Sequence, residues 1–284
     1  MTPLFPENYP EEYKTGKVNF FGRDFVVTPD VLIPRLETEG LVRRARQLLQ
    51  GTYKKQMIAT DGESEGWKLF ESDDSKKPLS EANEFFHPSE PFGTFQLGKV
   101  HAIPKNQKLI IVDIGCGSGI IGTSVADLAD EVIFLDISPA ALGIAEKNFR
   151  THFPDKKAQF IVSDLLENLP DSIKNSESKV LFLTNLPYIK DEDWIHMSED
   201  TVHEPKLALF GGEKTGFELY ERLFEQLSHL LANQLSNYPT IQLLFEFGFD
   251  QREVAESVMQ QYPNWNYEFF ADYAGIERFG EIIF

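Results

Sequence analysis

The spacing of hydrophobic positions predicts a hairpin and a helix in the first fifty residues. Positions 18–27 hold β-forming residues on both sides of Gly22, the pattern of two short strands joined by a tight turn. From position 38 to position 50, hydrophobic residues recur every three or four positions, so one face of a helix would be apolar. We therefore expect a β-hairpin followed by an amphipathic helix.

The pattern changes in residues 51–107. This segment is polar, rich in serine, glutamate, lysine, proline and glycine, and shows no sustained period. Short apolar runs at 67–70 and 92–97 favour strands within it. We expect an insertion that is at most partly ordered.

From residue 108 onward, strand-length hydrophobic runs alternate with helical periods, which predicts a doubly wound α/β fold. The last two strands fit an antiparallel pair. We expect a Rossmann-like, mostly parallel sheet of seven strands, preceded by the N-terminal β-hairpin. The predicted strands are 109–114, 132–136, 159–163, 180–185, 241–247, 267–270 and 279–284, and the predicted helices are 119–129, 139–153, 216–236 and 251–262. The chain would divide into an N-terminal segment with the hairpin (1–37), a helix (38–50), the insertion (51–107) and a main α/β domain (108–284).

Three of the predicted helices begin with capping signals. Ser138 is an expected N-cap, because its hydroxyl can accept a hydrogen bond from the first turn. Thr215 with Glu218, and Asp250 with Glu253, have the spacing of capping boxes.

Composition and charge narrow the class of protein. The chain has 284 residues with 42% hydrophobic residues, enough for a sizeable core without metals or disulfides. A net charge of −18 disfavours a nucleic-acid partner, which needs clustered lysine and arginine. The single cysteine excludes an intrachain disulfide and favours a reducing compartment. With no signal peptide and no apolar stretch near the roughly 18 residues of a membrane span, we expect a monomeric cytoplasmic protein without a metal or a membrane contact.

A glycine-rich loop stands between the strand at 109–114 and the helix that follows it. Glycines let the backbone turn sharply and let a ligand approach closely. The dinucleotide fingerprint would need a third glycine at position 120, which is Ile120, so the spacing favours a cofactor without a pyrophosphate. S-adenosylmethionine fits, because Asp113 suits its ammonium and sulfonium groups. Cys116 is expected to be a small loop residue, since no histidine lies near it in sequence. The expected cofactor-binding loop consists of Asp113, Gly115, Cys116, Gly117, Ser118 and Gly119.

Two further acidic residues follow predicted strands. Asp136 can accept both hydroxyls of a ribose, as a carboxylate at this place does in dinucleotide-binding folds. Asp164 can accept a hydrogen bond from an adenine amino group, and Leu165 can cover the ring. The alternative is an ordinary strand-to-helix turn, but the repetition at three strand ends favours a cofactor site.

The segment Asn185-Leu186-Pro187-Tyr188 follows the fourth strand of the series. Ligands of open α/β sheets bind at this edge. An amide or aromatic amino nitrogen is a poor nucleophile because its lone pair is delocalised. The Asn185 side-chain oxygen and the carbonyl of residue 186 can accept its two N–H groups, and Tyr188 can stack on the planar group. The alternative is a strand-ending turn, in which Asn-x-Pro is common.

Together these residues resemble the HemK family of release-factor glutamine methyltransferases, over most of the chain except the insertion. The most specific similarity is Val31-Leu32-Ile33-Pro34-Arg35-Leu36-Glu37-Thr38-Glu39. Other similar segments are Glu204-Pro205, Ala208-Leu209, Gly211-Gly212, Glu246-x-Gly248-x-x-Gln251 and Asp272-Tyr273 to Arg278.

The resemblance implies a class I methyltransferase that uses S-adenosylmethionine. Its acceptor would be the glutamine of the Gly-Gly-Gln motif in a peptide-chain release factor, which would be the protein partner. Residues 115–119, Asp136, Leu165 and Asn185 would bind the cofactor. Asn185, Leu186, Pro187 and Tyr188 would hold the glutamine amide, and 108–284 would be the catalytic domain. Arg35 would face either the active site or an acidic group of the fold.

Three departures from the family pattern affect these expectations. The family usually has proline where this chain has Leu186, and losing that rigidity costs about 0.4–1 kcal/mol. Because Leu186 precedes Pro187, its backbone is still biased to extended shapes, and we expect activity to be kept, at an unchanged or a reduced rate. We expect no counterpart of the family's N-terminal helical domain in this chain. The insertion at 51–107 has no counterpart in the family pattern. It either replaces the N-terminal helical domain in partner binding or is a solvated surface loop, and we favour the surface loop.

Two other functions compete with this interpretation. Methyltransferases that act on the amino groups of nucleic-acid bases use a similar Asn-Pro-Pro-aromatic segment, but the acidic charge and the segment 33–39 count against that class. A non-catalytic cofactor-binding protein would explain Leu186 but not the retained Asn185 and Tyr188.

Overall fold

The computed structural model describes residues 5–6, 8–50, 54–58, 66–70, 108–174, 178–199, 201–233 and 241–284. Within them the helices are α1 Glu11–Thr15, α2 Thr38–Gln50, α3 Ile120–Val125, α4 Pro139–His152, α5 Asp171–Lys174, α6 Glu218–Asn233 and α7 Arg252–Met259. The strands are β1 Lys17–Phe20, β2 Arg23–Val26, β3 Lys54–Ile58, β4 Gly66–Phe70, β5 Leu109–Ile114, β6 Glu131–Asp136, β7 Ala158–Val162, β8 Lys179–Thr184, β9 Ile189–Lys190, β10 Phe210–Gly212, β11 Ile241–Glu246, β12 Asn266–Ala271 and β13 Glu277–Ile283.

A seven-stranded sheet organises the main domain. Its strand order is β12-β13-β11-β8-β5-β6-β7, and only β13 runs antiparallel to its neighbours β11 and β12. Strands β5, β8 and β11 are buried along their whole length, as expected for parallel strands covered on both faces. The predicted doubly wound α/β fold is confirmed.

The hydrophobic core has two layers, one on each face of the sheet. Along β5, Ile110, Val112 and Ile114 face one layer, while Leu109 and Ile111 face the other. Helices α5, α6 and α7 cover the first layer, and α2, α3 and α4 cover the second. This alternation follows from the two-residue period of side chains along a strand.

The N-terminal hairpin and helix also agree with the sequence analysis. Strands β1 and β2 pair antiparallel about Gly22, whose φ of 72° is the left-handed conformation that glycine adopts at low cost. Helix α2 has the predicted bounds and buries its apolar face in the second layer. A buried ion pair between Arg44 of α2 and Glu281 of β13 ties this helix to the sheet.

Two strands lie in the segment predicted to be an insertion. β3 and β4 pair antiparallel, and β4 includes the predicted strand at 67–70. The other expected strand, at 92–97, lies outside the described residues. The division of the chain into four segments stays a prediction.

Several local predictions need correction. The helix predicted at 119–129 ends at Val125 and continues as a 3₁₀ turn, Ala126–Leu128. Helix α6 begins at Glu218, two residues later than predicted, because Glu218 accepts the backbone N–H groups of the preceding residues, Thr215 at 3.3 Å among them. The hydrophobic pattern also did not predict α1, α5, β3, β9 and β10, which are all five residues or shorter.

The two other helix starts have different outcomes. The predicted cap of α4 is confirmed, since the Ser138 hydroxyl accepts from the Ala141 N–H at 3.2 Å. The box of Asp250 with Glu253 is wrong, because Gln251 occupies the N-cap of α7 and its side chain makes no capping hydrogen bond. In the ranges that the structure describes, no helix is long and apolar enough to cross a membrane.

Candidate active site

The glycine loop follows β5 in a conformation that glycine favours at three positions. Gly115, Gly117 and Gly119 have φ values of 62°, 53° and 73°. A Cβ on Gly119 would lie 2.9 Å from the Cβ of Ala145, so this glycine lets the loop pack closely on α4. A Cβ on Gly117 would meet no atom within 4 Å, so the space beside it is open to a ligand.

The other two loop residues are held in the interior. Cys116 is buried, and burial raises the pKa of its thiol well above the usual value, so it is not a poised nucleophile. The carbonyl of Ser118 accepts a hydrogen bond from the Asn148 side chain at 2.9 Å. Both residues therefore support the shape of the loop.

Asp113, at the end of β5, carries a carboxylate that the protein satisfies only in part. It is fully buried, and its Oδ2 accepts from the Gly122 N–H at 2.7 Å. Its Oδ1 has no hydrogen-bond partner among the described residues. Burial raises the pKa of Asp113 to about 8, against the lowering effect of the Gly122 N–H and with a further rise from Asp136. A cation beside Oδ1 would stabilise the ionised form, so the site fits a cationic cofactor.

Asp136 ends β6 and is oriented by the backbone. Its Oδ2 accepts from the Gly117 N–H and its Oδ1 from the Ser138 N–H, each at 2.8 Å. Each carboxylate oxygen has two lone-pair sites, so both can still accept a ribose hydroxyl. Burial raises the pKa of Asp136, although these N–H groups oppose the rise.

The loop after β7 contains Asp164 and Leu165. Asp164 is partly exposed and pairs with Arg222 of α6 at 2.6 Å, a contact that an adenine amino group would have to share. Leu165 is buried and has a φ of 53°, an uncommon conformation for a residue with a side chain. The Ser163 hydroxyl donates to the Leu165 carbonyl at 2.9 Å and helps to hold that conformation.

Asn185 follows β8, which lies beside β5 in the sheet. Its side-chain Nδ2 donates to the hydroxyl of Thr38, the first residue of α2, at 3.2 Å. With Nδ2 directed to Thr38, Oδ1 is the atom that can accept a hydrogen bond from a substrate N–H.

Leu186 is fixed by both its backbone and its side chain. Its N–H donates to the Tyr220 hydroxyl at 2.9 Å, and that hydroxyl donates in turn to the Glu246 carbonyl. Its side chain is buried, and a Cβ on Gly115 would lie 2.8 Å from the Leu186 Cδ2. The side chain therefore packs between the core and the glycine loop.

Gln251 holds the backbone of Tyr188. Its Nε2 donates to the carbonyls of Tyr188 and Thr215, each at 2.8 Å, and its Oε1 accepts from the Gly248 N–H at 2.9 Å. The Gln251 side chain, which makes no capping hydrogen bond at the start of α7, therefore binds backbone groups at the candidate site.

Two glycines pack against the same segment from outside. A Cβ on Gly211 would lie 2.4 Å from the Pro187 carbonyl oxygen, and one on Gly216 would lie 2.2 Å from the Tyr188 carbonyl oxygen. No other residue fits this close approach. The Tyr188 side chain is partly buried, and burial raises the pKa of its hydroxyl, so the ring is neutral at ordinary pH.

Glu246 lies behind this segment, at the end of β11. It is fully buried, and neither carboxylate oxygen makes a hydrogen bond of full geometry with the described residues. Burial raises the pKa of Glu246 to about 7, although Thr38, Arg278 and Asn185 lie close enough to lower it.

Arg35 faces an acidic group of the fold, the second of its two expected environments. It pairs with the buried carboxylate of Glu204, which also accepts from the Ile33 N–H at 2.9 Å. The segment most specific to the family resemblance is thus bonded to the loop that follows the candidate catalytic segment.

The predicted site residues all lie at the carboxyl ends of β5, β6, β7 and β8, which are neighbours in the sheet. Five residues that contact them were not predicted from the sequence to have a functional role: Thr38, Tyr220, Arg222, Glu246 and Gln251. Glu246 carries a usable signal, since it is an acidic residue that ends a hydrophobic strand, as Asp136 does.

Comparisons with known proteins agree with this architecture. Residues 111–202 match a model described as "Methyltransferase domain". The chain is 28% identical over 282 residues to a release factor glutamine methyltransferase of Bacillus anthracis, covering 97% of this chain and 77% of that one. It is 27% identical to the protein of the same name from Bacillus subtilis (strain 168), covering 97% and 75%. The crystal structure of the hMettl16 catalytic domain, in complex with MAT2A 3′UTR hairpin 6, shares the fold with a TM-score of 0.51 at 10% identity, covering 95% of this chain and 88% of that one.

The seven-stranded sheet and the matched methyltransferase domain define a Rossmann-like class I methyltransferase, and the chain is an enzyme of this class. The curated relatives confirm the resemblance to the HemK family, because the chain is similar over nearly its whole length to release factor glutamine methyltransferases.

Proposed function

We propose that this protein transfers a methyl group from S-adenosylmethionine to the side-chain amide nitrogen of a glutamine, in the Gly-Gly-Gln motif of a peptide-chain release factor. The observation that carries the proposal is the placement of Asn185 beside the glycine loop, since Ile114 pairs with Thr184, together with the direction of its Nδ2 to Thr38. The names of the curated relatives support the acceptor.

The residues at the strand ends fit the cofactor. Asp113 would face its cationic groups, Asp136 would accept the ribose hydroxyls, and Asp164 and Leu165 would contact the adenine. The glycine loop leaves room for close approach at Gly117. When bound, S-adenosylmethionine supplies an electrophilic methyl group on a positively charged sulfur.

The segment from Asn185 to Tyr188 would hold the acceptor. The Asn185 Oδ1 and the Leu186 carbonyl accept the two N–H groups of the glutamine amide, and the neutral Tyr188 ring stacks on its plane. A carbon–nitrogen bond forms as the carbon–sulfur bond breaks, and the nitrogen then loses a proton to solvent. No strong base is required, because the methylated amide nitrogen is very acidic. Positioning supplies most of the rate, and effective molarities of about 10⁵ M or more set its scale.

The first experiment is a transfer assay with methyl-labelled S-adenosylmethionine. The acceptors are a peptide-chain release factor and the same factor with its Gly-Gly-Gln glutamine changed to alanine. We expect label on the first and not on the second. Label on neither, with cofactor binding intact, would contradict the proposal, and label on total RNA would replace it with the nucleic-acid alternative.

Asn185→Ala tests the site itself. We expect a loss of at least about 100-fold in rate, by analogy with the removal of one oriented polar group. The melting temperature of the Asn185→Ala variant, measured by thermal unfolding, shows whether the variant is folded. A variant that folds and keeps its rate would show that Asn185 does not hold the acceptor.

The setting of the reaction is also part of the proposal. We propose a monomeric cytoplasmic enzyme: the single cysteine supports a reducing compartment, and the acidic charge suits a basic protein partner. We propose 108–284 as the catalytic domain and 51–107 as a surface insertion. If deletion of the insertion lowers methylation efficiency, the segment takes part in partner binding.

A further inference from the structure

An asparagine amide has two orientations that exchange its oxygen and its nitrogen. Only one of them presents an acceptor to the N–H groups of a substrate. The proposed function therefore requires a contact that selects the orientation of Asn185. The observed contact is the 3.2 Å hydrogen bond from the Asn185 Nδ2 to the Thr38 hydroxyl, and Thr38 is only 2% exposed.

Glu246 stands behind this contact. Strands β8 and β11 are paired, with Thr184 opposite Phe245, so Glu246 holds the register position opposite Asn185. Its carboxylate is fully buried, and neither oxygen makes a hydrogen bond of full geometry with the described residues. It is therefore an acceptor that Thr38 and Asn185 are placed to satisfy, with the charge of Arg278 also acting on it.

The chemistry of the three groups defines one arrangement. An ionised carboxylate only accepts hydrogen bonds, so it attracts the Thr38 hydroxyl proton and the Asn185 amide protons. The reversed amide would place the Asn185 oxygen against a buried negative charge and leave its donors without these acceptors, which is costly in the interior. The ionised state of Glu246 thus favours an outward-facing Asn185 oxygen.

We infer that Thr38 and Glu246 are positioning residues, which fix the Asn185 amide so that its oxygen is presented to the acceptor nitrogen. This inference rests on the proposed function for its consequence in catalysis. The orientation itself can be measured without an acceptor.

Protonation of Glu246 should weaken the arrangement, because a neutral carboxyl group has a donor that can bind the reversed amide. Burial raises the pKa of Glu246 to about 7, so the change falls near neutral pH. The other charged or titratable groups that face it are Arg278 of β13, Glu37 before α2, Tyr188 after β8 and Tyr220 of α6. Burial raises the pKa of both tyrosine hydroxyls, so neither titrates near neutral pH.

The first test reads the Asn185 side-chain amide directly, by ¹⁵N NMR of the full chain with the resonance assigned through Asn185→Ala. We expect its shift to change with pH around 7, and we expect Glu246→Gln to abolish that change. Thr38→Val should move the resonance and speed the exchange of its protons with water. A resonance that responds to neither substitution would overturn the inference.

The second test measures methylation of a release factor. Thr38→Val removes the hydroxyl at similar volume and should lower kcat about tenfold, whereas Thr38→Ser keeps the hydroxyl and should stay within about threefold. KM for S-adenosylmethionine should not change. The wild-type kcat should rise with pH through about 7, and this pH dependence of kcat should be absent in Glu246→Gln. Equal kcat values in Thr38→Val and the wild type would contradict the inference.

The two tests separate the possible failures. If the wild type methylates no release factor, the proposed function is wrong, while the NMR experiment still decides the orientation of Asn185. If Thr38→Val does not fold, Glu246→Gln carries both tests.

Discussion

The hydroxyl of Tyr220 connects two backbone groups behind the candidate catalytic segment, and its removal gives the sharpest test of how that segment is held. It accepts from the Leu186 N–H at 2.9 Å and donates to the Glu246 carbonyl. Tyr220 is fully buried and Leu186 is 3% exposed, so water cannot replace the lost partner. The HemK family usually has proline at position 186, which has no N–H to satisfy. In this chain, the Leu186 N–H makes a hydrogen bond at the position where the family has the rigid proline ring.

Tyr220→Phe would leave the Leu186 N–H buried without an acceptor. Such a group costs about 1–3 kcal/mol of stability. Tyr267→Phe is a matched control, because its hydroxyl bonds to Glu256 at 2.6 Å in a partly exposed place where water can substitute. We expect that control to cost at most about 1 kcal/mol.

Leu186→Pro completes a double-mutant cycle. With Tyr220 present, the proline ring would occupy the place of the amide hydrogen, which lies only about 1.9 Å from its acceptor in such a bond. With phenylalanine at position 220, no N–H is orphaned and the hydroxyl clash is gone. We therefore expect the double variant to be less destabilised than the sum of the single variants, by at least about 1 kcal/mol.

Urea unfolding followed by circular dichroism gives the four free energies of the cycle, and the methylation rate of each folded variant shows whether the segment keeps its position. The rate of Tyr220→Phe should fall along with its stability. Free energies that add within about 0.5 kcal/mol would refute the reasoning, because the hydroxyl would then not act through the Leu186 N–H.

Three further predictions concern other parts of the structure. Gly119→Ala should lower the melting temperature more than Gly117→Ala, because both residues have positive φ but only the first would place a Cβ within 3 Å of another side chain; equal shifts would contradict the packing argument. Arg44→Ala should cost about 3–5 kcal/mol in urea unfolding, because it leaves the buried Glu281 carboxylate unpaired, and a cost below about 1 kcal/mol would show that the pair is not structural. Burial raises the pKa of Glu246 from 4.5 to about 7, so its protonated form stabilises the fold below about pH 4.5, and this stabilisation, on the order of 3 kcal/mol, is lost as the pH rises to 7. Glu246→Gln should therefore remove this fall in the free energy of unfolding between pH 4.5 and 7. An unchanged pH dependence in the variant would refute the prediction.

The sequence by itself predicted most strands and helices of the main α/β domain and the place of the glycine loop. Helix α2 has its predicted bounds, and β5 and β8 lie within a residue of theirs. These features depend on short-range patterns: the period of hydrophobic residues, the φ preference of glycine, and the position of an acid at the end of a strand. Strand ends meet at one edge of a parallel sheet, so the gathering of Asp113, Asp136 and Asn185 followed from the order of elements alone.

Only the tertiary structure decided how the candidate segment is held. Thr38 and Asn185 are 147 positions apart, and Gln251 is 63 positions from the Tyr188 carbonyl that it binds. The box predicted at the start of α7 failed because Gln251, not Asp250, occupies the N-cap, and the Gln251 side chain is engaged in a contact across the fold. Such pairings depend on which strands become neighbours and on which groups lose water, and no local pattern in the chain specifies them.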